Sequence, residues 1–122
     1  PIPFELPISI LDLPLEAIYL SSLQLLSIPS YFPRHTQVID FSSSSLPNGI
    51  MPIFWRLPFL KEVNLQGCHI QKVPVHTKVF HKVPQLEKLD LRNNEFKGNC
   101  FQQILMNLAN TSLKTLILKL SQ

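Results

Sequence analysis

Apolar and polar residues follow one repeating pattern along the chain. The full pattern places apolar residues at its first, fourth, sixth and eleventh positions and Asn or Cys at its ninth. Residues 60–70 and 86–96 fit it completely, residues 15–25 fit it with one departure, and residues 36–46 fit it with two. The alternation around the fourth and sixth positions predicts a short strand with one buried face in every copy.

The copies recur at regular intervals, starting at residues 15, 36, 60, 86 and 113, so that successive starts lie 21, 24, 26 and 27 residues apart. These spacings fall in the range of leucine-rich repeats, about 20–29 residues. One amphipathic fold with chance leucines does not explain five aligned copies. Because a single repeat cannot bury its own apolar face, neighbouring repeats must stack. The sequence predicts a leucine-rich repeat solenoid of the α/β class with about four to five repeats. Short parallel strands would line its concave face, and irregular, 3₁₀ or helical segments its convex side.

The ninth position of each copy turns the chain inward and calls for a small or polar buried residue. Asn94 can bond backbone groups of neighbouring coils, because its amide carries donors and an acceptor. Cys68 can replace Asn as a small buried residue with a weak donor, whereas Leu23 and Ser44 depart from the pattern. Two cysteines do not make a disulfide framework. We expect no disulfide between Cys68 and Cys100. Cys100 would either pair with a cysteine outside residues 1–122 or stay free.

The domain organisation follows from the repeats and from the length of 122 residues, which fits one domain. The 11 prolines require short elements, and no apolar run approaches the roughly 20 residues that span a bilayer. Since the copy at residue 113 is cut off, we expect residues 1–122 to be one array within a longer solenoid. Its last apolar side chains would then lack a neighbouring coil; they are Ile104, Leu108, Leu113, Leu116 and Leu118.

Four segments carry a resemblance to a known family. Residues 26–42 resemble the initial segment of extracellular arrays, LxxIPxxLPxxTxxLDLS. Residues 54–60 and 80–86 resemble the FxxLxxL junction of such arrays, which also occurs in variable lymphocyte receptors. Residues 108–116 resemble the LxNTSLxxLxL junction of Toll-like receptor ectodomains. Together the segments cover most of residues 26–119.

The resemblance implies a function. The chain would be the ligand-recognition segment of an innate immune receptor ectodomain that binds a protein or an anionic ligand and dimerises with a second receptor chain. It would lie on the extracellular or lumenal side of a cell-surface or endosomal membrane receptor, without touching the membrane itself. Asn110 begins an N-x-S/T sequon, so a secreted chain would carry a glycan there. The alternative is a cytosolic interaction scaffold or the sensing arm of an intracellular immune receptor, for which Cys at the ninth position is common.

The outer face of the strands supplies the main candidates for binding. The third, fifth and seventh residues of each copy point away from the core and stack in columns across the sheet. Solenoids commonly bind partners on such extended surfaces, although edges and convex loops are alternatives. The candidates are Tyr19, Asp40, Glu62, Asn64, Gln66, Lys88, Asp90, Arg92 and Lys119.

Charge adds a second set of candidates. Residues 1–60 carry a net charge of −2 and residues 61–122 carry +5, which mildly favours an anionic partner. The basic loop candidates are Lys72, His76, Lys78, His81 and Lys82. Acidification would add positive charge to this stretch, because His titrates near pH 6.5. Without carboxylates or cysteines at ligand spacing, His69, His76 and His81 are interpreted as loop residues and not as a metal site.

Catalytic motifs are absent from the sequence. It contains no G-x-S-x-G, no H-E-x-x-H and no phosphate-binding glycine loop, and it has only 3 glycines in all. The acidic residues are not paired across a plausible cleft. We therefore expect a non-enzymatic protein that needs no cofactor.

Overall fold

One open parallel sheet organises the computed structural model, which describes residues 3–27, 29, 31–52, 57–73, 80, 83–109 and 111–119. The strands are β1 (Ala17–Tyr19), β2 (Val38–Asp40), β3 (Glu62–Asn64), β4 (Lys88–Asp90) and β5 (Thr115–Ile117). Each strand pairs in parallel with the next along the chain, so the spatial order is β1-β2-β3-β4-β5. This is the leucine-rich repeat solenoid that the sequence predicts.

The register of the sheet is the one predicted from the repeat pattern. Ile18 pairs with Ile39, Ile39 with Val63, Val63 with Leu89, and Leu89 with Leu116. The first four of these fourth-position side chains are buried, whereas most of their third- and fifth-position neighbours are exposed or half-buried. Equivalent positions therefore stack in straight columns, with apolar side chains on one face of the sheet.

The convex side carries short 3₁₀ and helical segments, as predicted. Among the described residues, two 3₁₀ turns span Ile8–Asp12 and Pro47–Gly49, and one helix, α1, spans Cys100–Leu108. The helix lies in the longest of the described coils, where the extra residues leave room for two helical turns. It buries Cys100 and Ile104 against the core. The expectation that Ile104 lies open at the end of the array is therefore wrong, because α1 places this side chain in the hydrophobic core.

The hydrophobic core runs the length of the described array. Sixth-position side chains pack into the core next to the buried face of the sheet. Apolar residues of the convex side pack against the core from the opposite side. The largest fully buried side chains are Phe41, Phe80, Ile39, Met51, Leu57, Leu60, Leu65, Ile70, Leu86, Leu89 and Leu91.

Residues before the first predicted copy also stack on the array. Phe4 forms a parallel bridge with Leu25. Its N–H donates to the carbonyl of Gln24 at 2.6 Å, and its own carbonyl accepts from the N–H of Leu26 at 2.7 Å. The Tyr31 hydroxyl donates to the carbonyl of Leu6 in the same segment. Residues 3–13 therefore pack onto the first predicted copy, which the sequence pattern did not reveal because that segment contains no strand position.

The ninth-position residues link successive coils by hydrogen bonds. The Ser44 hydroxyl donates to the carbonyl of Leu20 at 2.5 Å, and the Cys68 thiol donates to the carbonyl of Phe41 at 3.0 Å. The amide of Asn94 donates to the carbonyl of Leu65 at 2.8 Å. All three acceptors are sixth-position carbonyls of the preceding coil, which follow the strands and have no ladder partner there.

Asn94 makes the fullest set of these links. Its Oδ1 accepts from the N–H groups of Cys68 at 3.1 Å and Ile70 at 3.0 Å, and its Nδ2 also donates to the carbonyl of Leu91 at 3.1 Å. The side chain is 2% exposed. The prediction that Asn94 bonds backbone groups of neighbouring coils is confirmed.

No helix within the described ranges is long and apolar enough to cross a membrane.

Candidate binding surface

A shallow depression lies on the concave face of the sheet. Its volume is about 210 Å³, and residues of all five strands line it. Two of the predicted candidates, Gln66 and Lys119, lie outside its lining. The predicted candidates inside the lining are Tyr19, Asp40, Glu62, Asn64, Lys88, Asp90 and Arg92. The structure thus brings most of the candidates together, because the parallel register aligns their positions.

Tyr19 is the most exposed aromatic side chain on this surface. It ends β1, the outermost strand on one side of the sheet, and is 67% exposed. Its Cα is paired in register with that of Asp40 on β2. An aromatic ring with a polar tip at the rim of a polar depression suits contact with a partner, since Tyr is enriched at binding hot spots.

The fifth-position column has a structural role that sequence reasoning missed. Asp40, Asn64 and Asp90 each accept, through Oδ1, a hydrogen bond from the backbone N–H two residues ahead, at 2.7, 2.9 and 3.1 Å respectively. Asp and Asn form such turns readily. Since each turn follows directly on a strand, these side chains fix the exit of the chain from the sheet. The signal was available in the sequence as Asp or Asn at the fifth position of three consecutive copies.

Asp90 forms a close ion pair with Arg92. The Arg92 Nη2 lies 2.6 Å from Oδ2 of Asp90, and Nε donates to both carboxylate oxygens at 3.0 and 3.1 Å. Burial alone would raise the pKa of Asp90, but the hydrogen bonds and charge of Arg92, with a smaller contribution from Lys88, lower it below its ordinary value. Asp90 is 4% exposed. Asp90 stays a predicted concave-face candidate, and in the structure its carboxylate is bound by the Arg92 guanidinium.

Arg92 remains accessible beside this pair. Its side chain is 39% exposed, and its Nη2 also lies 3.5 Å from Oε1 of Gln66. The hydrogen bonds and charge of Asp90 raise the pKa of Arg92. The guanidinium is thus held in one orientation across the seventh-position column, and it presents a fixed face to the concave side.

Glu62 and Lys88 are neighbours in the third-position column. They are paired in register on β3 and β4, and both are exposed. Among the described residues, neither takes part in a salt bridge. Adjacent strands lie about 4.8 Å apart, so the two opposite charges point outward side by side and both face solvent.

The basic loop is described only in part. Lys72 is exposed, and its backbone forms a bridge with Ile50. His76, Lys78, His81 and Lys82 lie outside the described residues, as does Asn110 of the sequon.

His69 has a carboxylate partner that the sequence analysis did not foresee. Its Nδ1 lies 2.5 Å from Oε2 of Glu95. Both residues occupy the tenth position of successive copies and are exposed, so stacking of the repeats brings them together. Within the described part of the chain, no group of three or more His, Cys, Asp or Glu could hold a metal ion.

Both cysteines are free and buried. Burial raises the pKa of the Cys68 thiol to about 12. A hydrogen bond from the Ser44 backbone lowers this pKa, and the charge of Asp40 raises it by a smaller amount. Burial also raises the pKa of Cys100 at the start of α1, against a lowering effect of the Val73 backbone. Both thiols are thus held in their protonated, weakly nucleophilic form.

Comparison with known proteins agrees with the repeat architecture. The family described as Leucine Rich Repeat matches residues 85–121. The chain is also 30% identical over 101 residues to the mouse protein named transforming growth factor beta activator LRRC32. That match covers 80% of this chain and 15% of the relative. No solved structure matches significantly.

The fold and the comparisons together define the class. The chain contains a leucine-rich repeat and folds as a leucine-rich repeat solenoid. It is a distant relative of LRRC32. Repeats of this class present their sheet as an interaction surface, which fits a role in protein–protein interaction.

Proposed function

We propose that the concave sheet binds a protein partner and that the chain is a ligand-recognition segment of an extracellular immune receptor. The observation that carries this proposal is the polar depression, to which all five strands contribute side chains. Its lining mixes acidic, basic, amide and aromatic groups on a rigid sheet. Such a mixture suits the varied surface of a protein better than a small apolar ligand. Nothing in the arrangement calls for catalysis, and we propose a purely binding role.

The receptor assignment rests on sequence likeness. Residues 26–42 resemble the initial segment of extracellular arrays, and residues 108–116 resemble a junction of Toll-like receptor ectodomains. The relative LRRC32 is named as an activator of transforming growth factor beta. In this proposal the chain lies on the extracellular or lumenal side of a membrane receptor, a glycan is attached at Asn110, and binding brings two receptor chains together. The partner is a protein, with an anionic ligand as the second possibility.

The alternative is a cytosolic interaction scaffold or the sensing arm of an intracellular immune receptor. One observation favours it: Cys68 occupies the ninth position, and both described cysteines are free thiols. Disulfides are rare in the cytosol, where thiols stay reduced. In this reading the same concave sheet would bind an intracellular protein.

A mutational experiment tests the binding surface. The full chain is displayed on yeast and used to isolate binding proteins from secreted material, and affinities of the captured partner are then measured by flow cytometry. We expect Tyr19→Ala to weaken binding by about ten-fold or more, as for an aromatic hot spot. Ile8→Ala is the matched control, because Ile8 is 68% exposed on the convex side. Equal affinity of all three proteins would place the contact elsewhere and contradict the proposal.

A second experiment separates the two cellular settings. The chain is expressed with its native sorting signals, and its gel mobility is compared before and after glycosidase treatment. A shift that disappears in Asn110→Gln supports the secreted reading. An unshifted chain whose cysteines become reactive only on unfolding supports the cytosolic alternative.

A further inference from the structure

The charges on the concave face are separated along the axis of the solenoid. On the third-, fifth- and seventh-position columns, the coils of β1–β3 carry two acids, Asp40 and Glu62, and no base. The coils of β4 and β5 carry three bases, Lys88, Arg92 and Lys119, and one acid. The two ends of the same surface therefore have opposite net charge.

The single acid at the basic end lowers its net charge but does not reverse this polarity. Asp90 is buried and bound to Arg92, whose side chain is 39% exposed. A partner that approaches the sheet would meet the guanidinium and the exposed ammonium groups of Lys88 and Lys119. At the other end it would meet the exposed carboxylate of Glu62 and the half-buried carboxylate of Asp40.

The distance between the two ends lets them act separately. Two strand spacings separate the centre of β2 and β3 from that of β4 and β5, which is roughly 10 Å. This exceeds the Debye length of about 8 Å at physiological ionic strength. A bound segment would therefore experience a negative electrostatic potential at one end of the face and a positive potential at the other.

We propose that the concave face takes a polypeptide segment of mixed charge that crosses the strands in one orientation. The basic end of the segment lies over β2 and β3, its acidic end lies over β4 and β5, and Tyr19 flanks the basic end. This inference rests on the proposed function and adds the chemistry and direction of the partner. A uniformly anionic ligand fits less well, because Asp40 and Glu62 repel it over half of its length.

Photo-cross-linking of the full chain with synthetic peptides tests this orientation. The probe contains three lysines, a short glycine–serine spacer and three glutamates, and a photoreactive group is attached at one end or the other. We expect the glutamate-end label to attach to residues 88–119 and the lysine-end label to residues 38–66, each with about three- to five-fold preference. Peptides of the same length that contain only glutamate or only lysine should bind more weakly. The preference should decline at high salt.

A paired charge exchange gives the matched control. Glu62→Lys combined with Lys88→Glu leaves neither end with a net charge on these columns, so the orientation preference should disappear. Both side chains are exposed, and circular dichroism checks that the variant folds. The same exchange away from the sheet, Glu5→Lys with Lys97→Glu, should keep the preference, because both residues are exposed outside the strands.

The outcomes distinguish this inference from the proposed function. Cross-links on the concave face without preference for either end would overturn the orientation and leave concave binding intact. Stronger binding of the all-glutamate peptide would overturn it in favour of a polyanion. Absence of concave cross-links from every peptide would also overturn it, while the Tyr19→Ala comparison decides the proposed function independently.

Discussion

Single buried polar residues join the coils of this array. Ser44, Cys68 and Asn94 occupy the same repeat position, and each donates to a backbone carbonyl of the coil before it. The bonds matter because the sixth-position carbonyls, just past the strands, have no partner in the strand ladder. A buried backbone group without a partner costs free energy comparable to a lost hydrogen bond.

Asn94 provides the clearest test of this role. In Asn94→Ala, the buried N–H groups of Cys68 and Ile70 lose their acceptor, so we expect the free energy of unfolding to fall by roughly 2–5 kcal/mol. Urea unfolding measures the change. Asn107→Ala is the control, because Asn107 donates to the carbonyl of Gln103 at an exposed site, and its loss should cost about 0.5 kcal/mol or less. Similar losses in both variants would contradict the role of Asn94.

Cys68 links stability to alkaline pH. Its pKa is about 12 in the folded chain, against an ordinary value of 9.0 that the unfolded chain would show. The folded state therefore keeps the proton when the unfolded state has lost it, so stability is complete below about pH 9 and falls as pH rises above it. The expected slope is about 1.4 kcal/mol per pH unit.

The measurement uses Cys100→Ser as the background, so that Cys68 is the only thiol. Urea unfolding at pH 7.5 and pH 10 is compared with that of Cys68→Ser in the same background. Because the hydroxyl does not ionise in this range, the background protein should lose about 1.4 kcal/mol more than the variant by pH 10. If the free energy of unfolding changed with pH in the same way in both proteins, burial would not raise the pKa of Cys68.

At the scale of the element, each of the strands β1 to β4 is followed by a turn of one conformation. Ser22, Ser43, Gly67 and Asn93 all occupy the eighth position of their copies, and all have positive φ, between 58° and 65°. Fifth-position Asp and Asn side chains brace these turns where they occur. The left-handed turn is therefore imposed by the coil geometry and is adopted even by residues with a side chain, although it costs them roughly 1 kcal/mol.

Three glycines with positive φ differ in the space around them, so that alanine substitutions can separate the cost of backbone strain from the cost of a steric contact. Gly49, Gly67 and Gly98 have φ of 63°, 65° and 58°. A Cβ at Gly49 would lie 3.0 Å from the carbonyl oxygen of His69, whereas one at Gly67 would meet nothing closer than 3.7 Å and one at Gly98 nothing within 4 Å.

Alanine substitution of these glycines should therefore give a ranked series. We expect Gly67→Ala and Gly98→Ala to cost about 1 kcal/mol each from positive φ alone. Gly49→Ala should cost about 2 kcal/mol or more, because the backbone carbonyl it meets cannot move aside easily. Thermal unfolding of the three variants measures the order. An equal effect at all three positions would show that the contact at Gly49 is relieved at little cost.

At the scale of the whole molecule, the sheet formed by the described residues has an edge strand at each end. β1 and β5 each have one neighbour. On the β5 side, Leu113 and Leu116 are half-buried and Leu118 is 41% exposed. Since coils of a solenoid contact only their neighbours, the stability of the array is a sum of repeats and interfaces. Apolar side chains on β5 are those that a further coil would cover.

Adding a capping module tests this additivity. We expect residues 1–122 alone to bind a hydrophobic dye or to associate, and a capping repeat fused after residue 122 to suppress both and to raise Tm. Burial of one large apolar side chain contributes roughly 1.5–3 kcal/mol, which is large against a domain stability of about 5–15 kcal/mol. A monomeric chain with a sharp transition, no dye binding and unchanged Tm after fusion would contradict the prediction that residues 1–122 belong to a longer array.

Much of the binding surface could be predicted, but not the state of every side chain in it. The columns that contain Tyr19, Glu62 and Lys88 follow from the repeat frame, because parallel strands in register place equal positions side by side. The ion pair between Arg92 and Asp90 could not be predicted, since the distance between the guanidinium and the carboxylate depends on the rotamers that the two side chains adopt in the packed coil. The same holds for Ile104, whose burial depends on how α1 folds onto its coil.

The sequence by itself determined the repeat frame, the strand positions and the residues that share a column, because these depend on the spacing of apolar side chains along one coil. Only the tertiary structure decided how coils meet. The contact of His69 with Glu95, and the bridge from Phe4 to Leu25, join residues more than 20 positions apart. Such contacts arise when coils stack, and the pattern within one coil does not specify them.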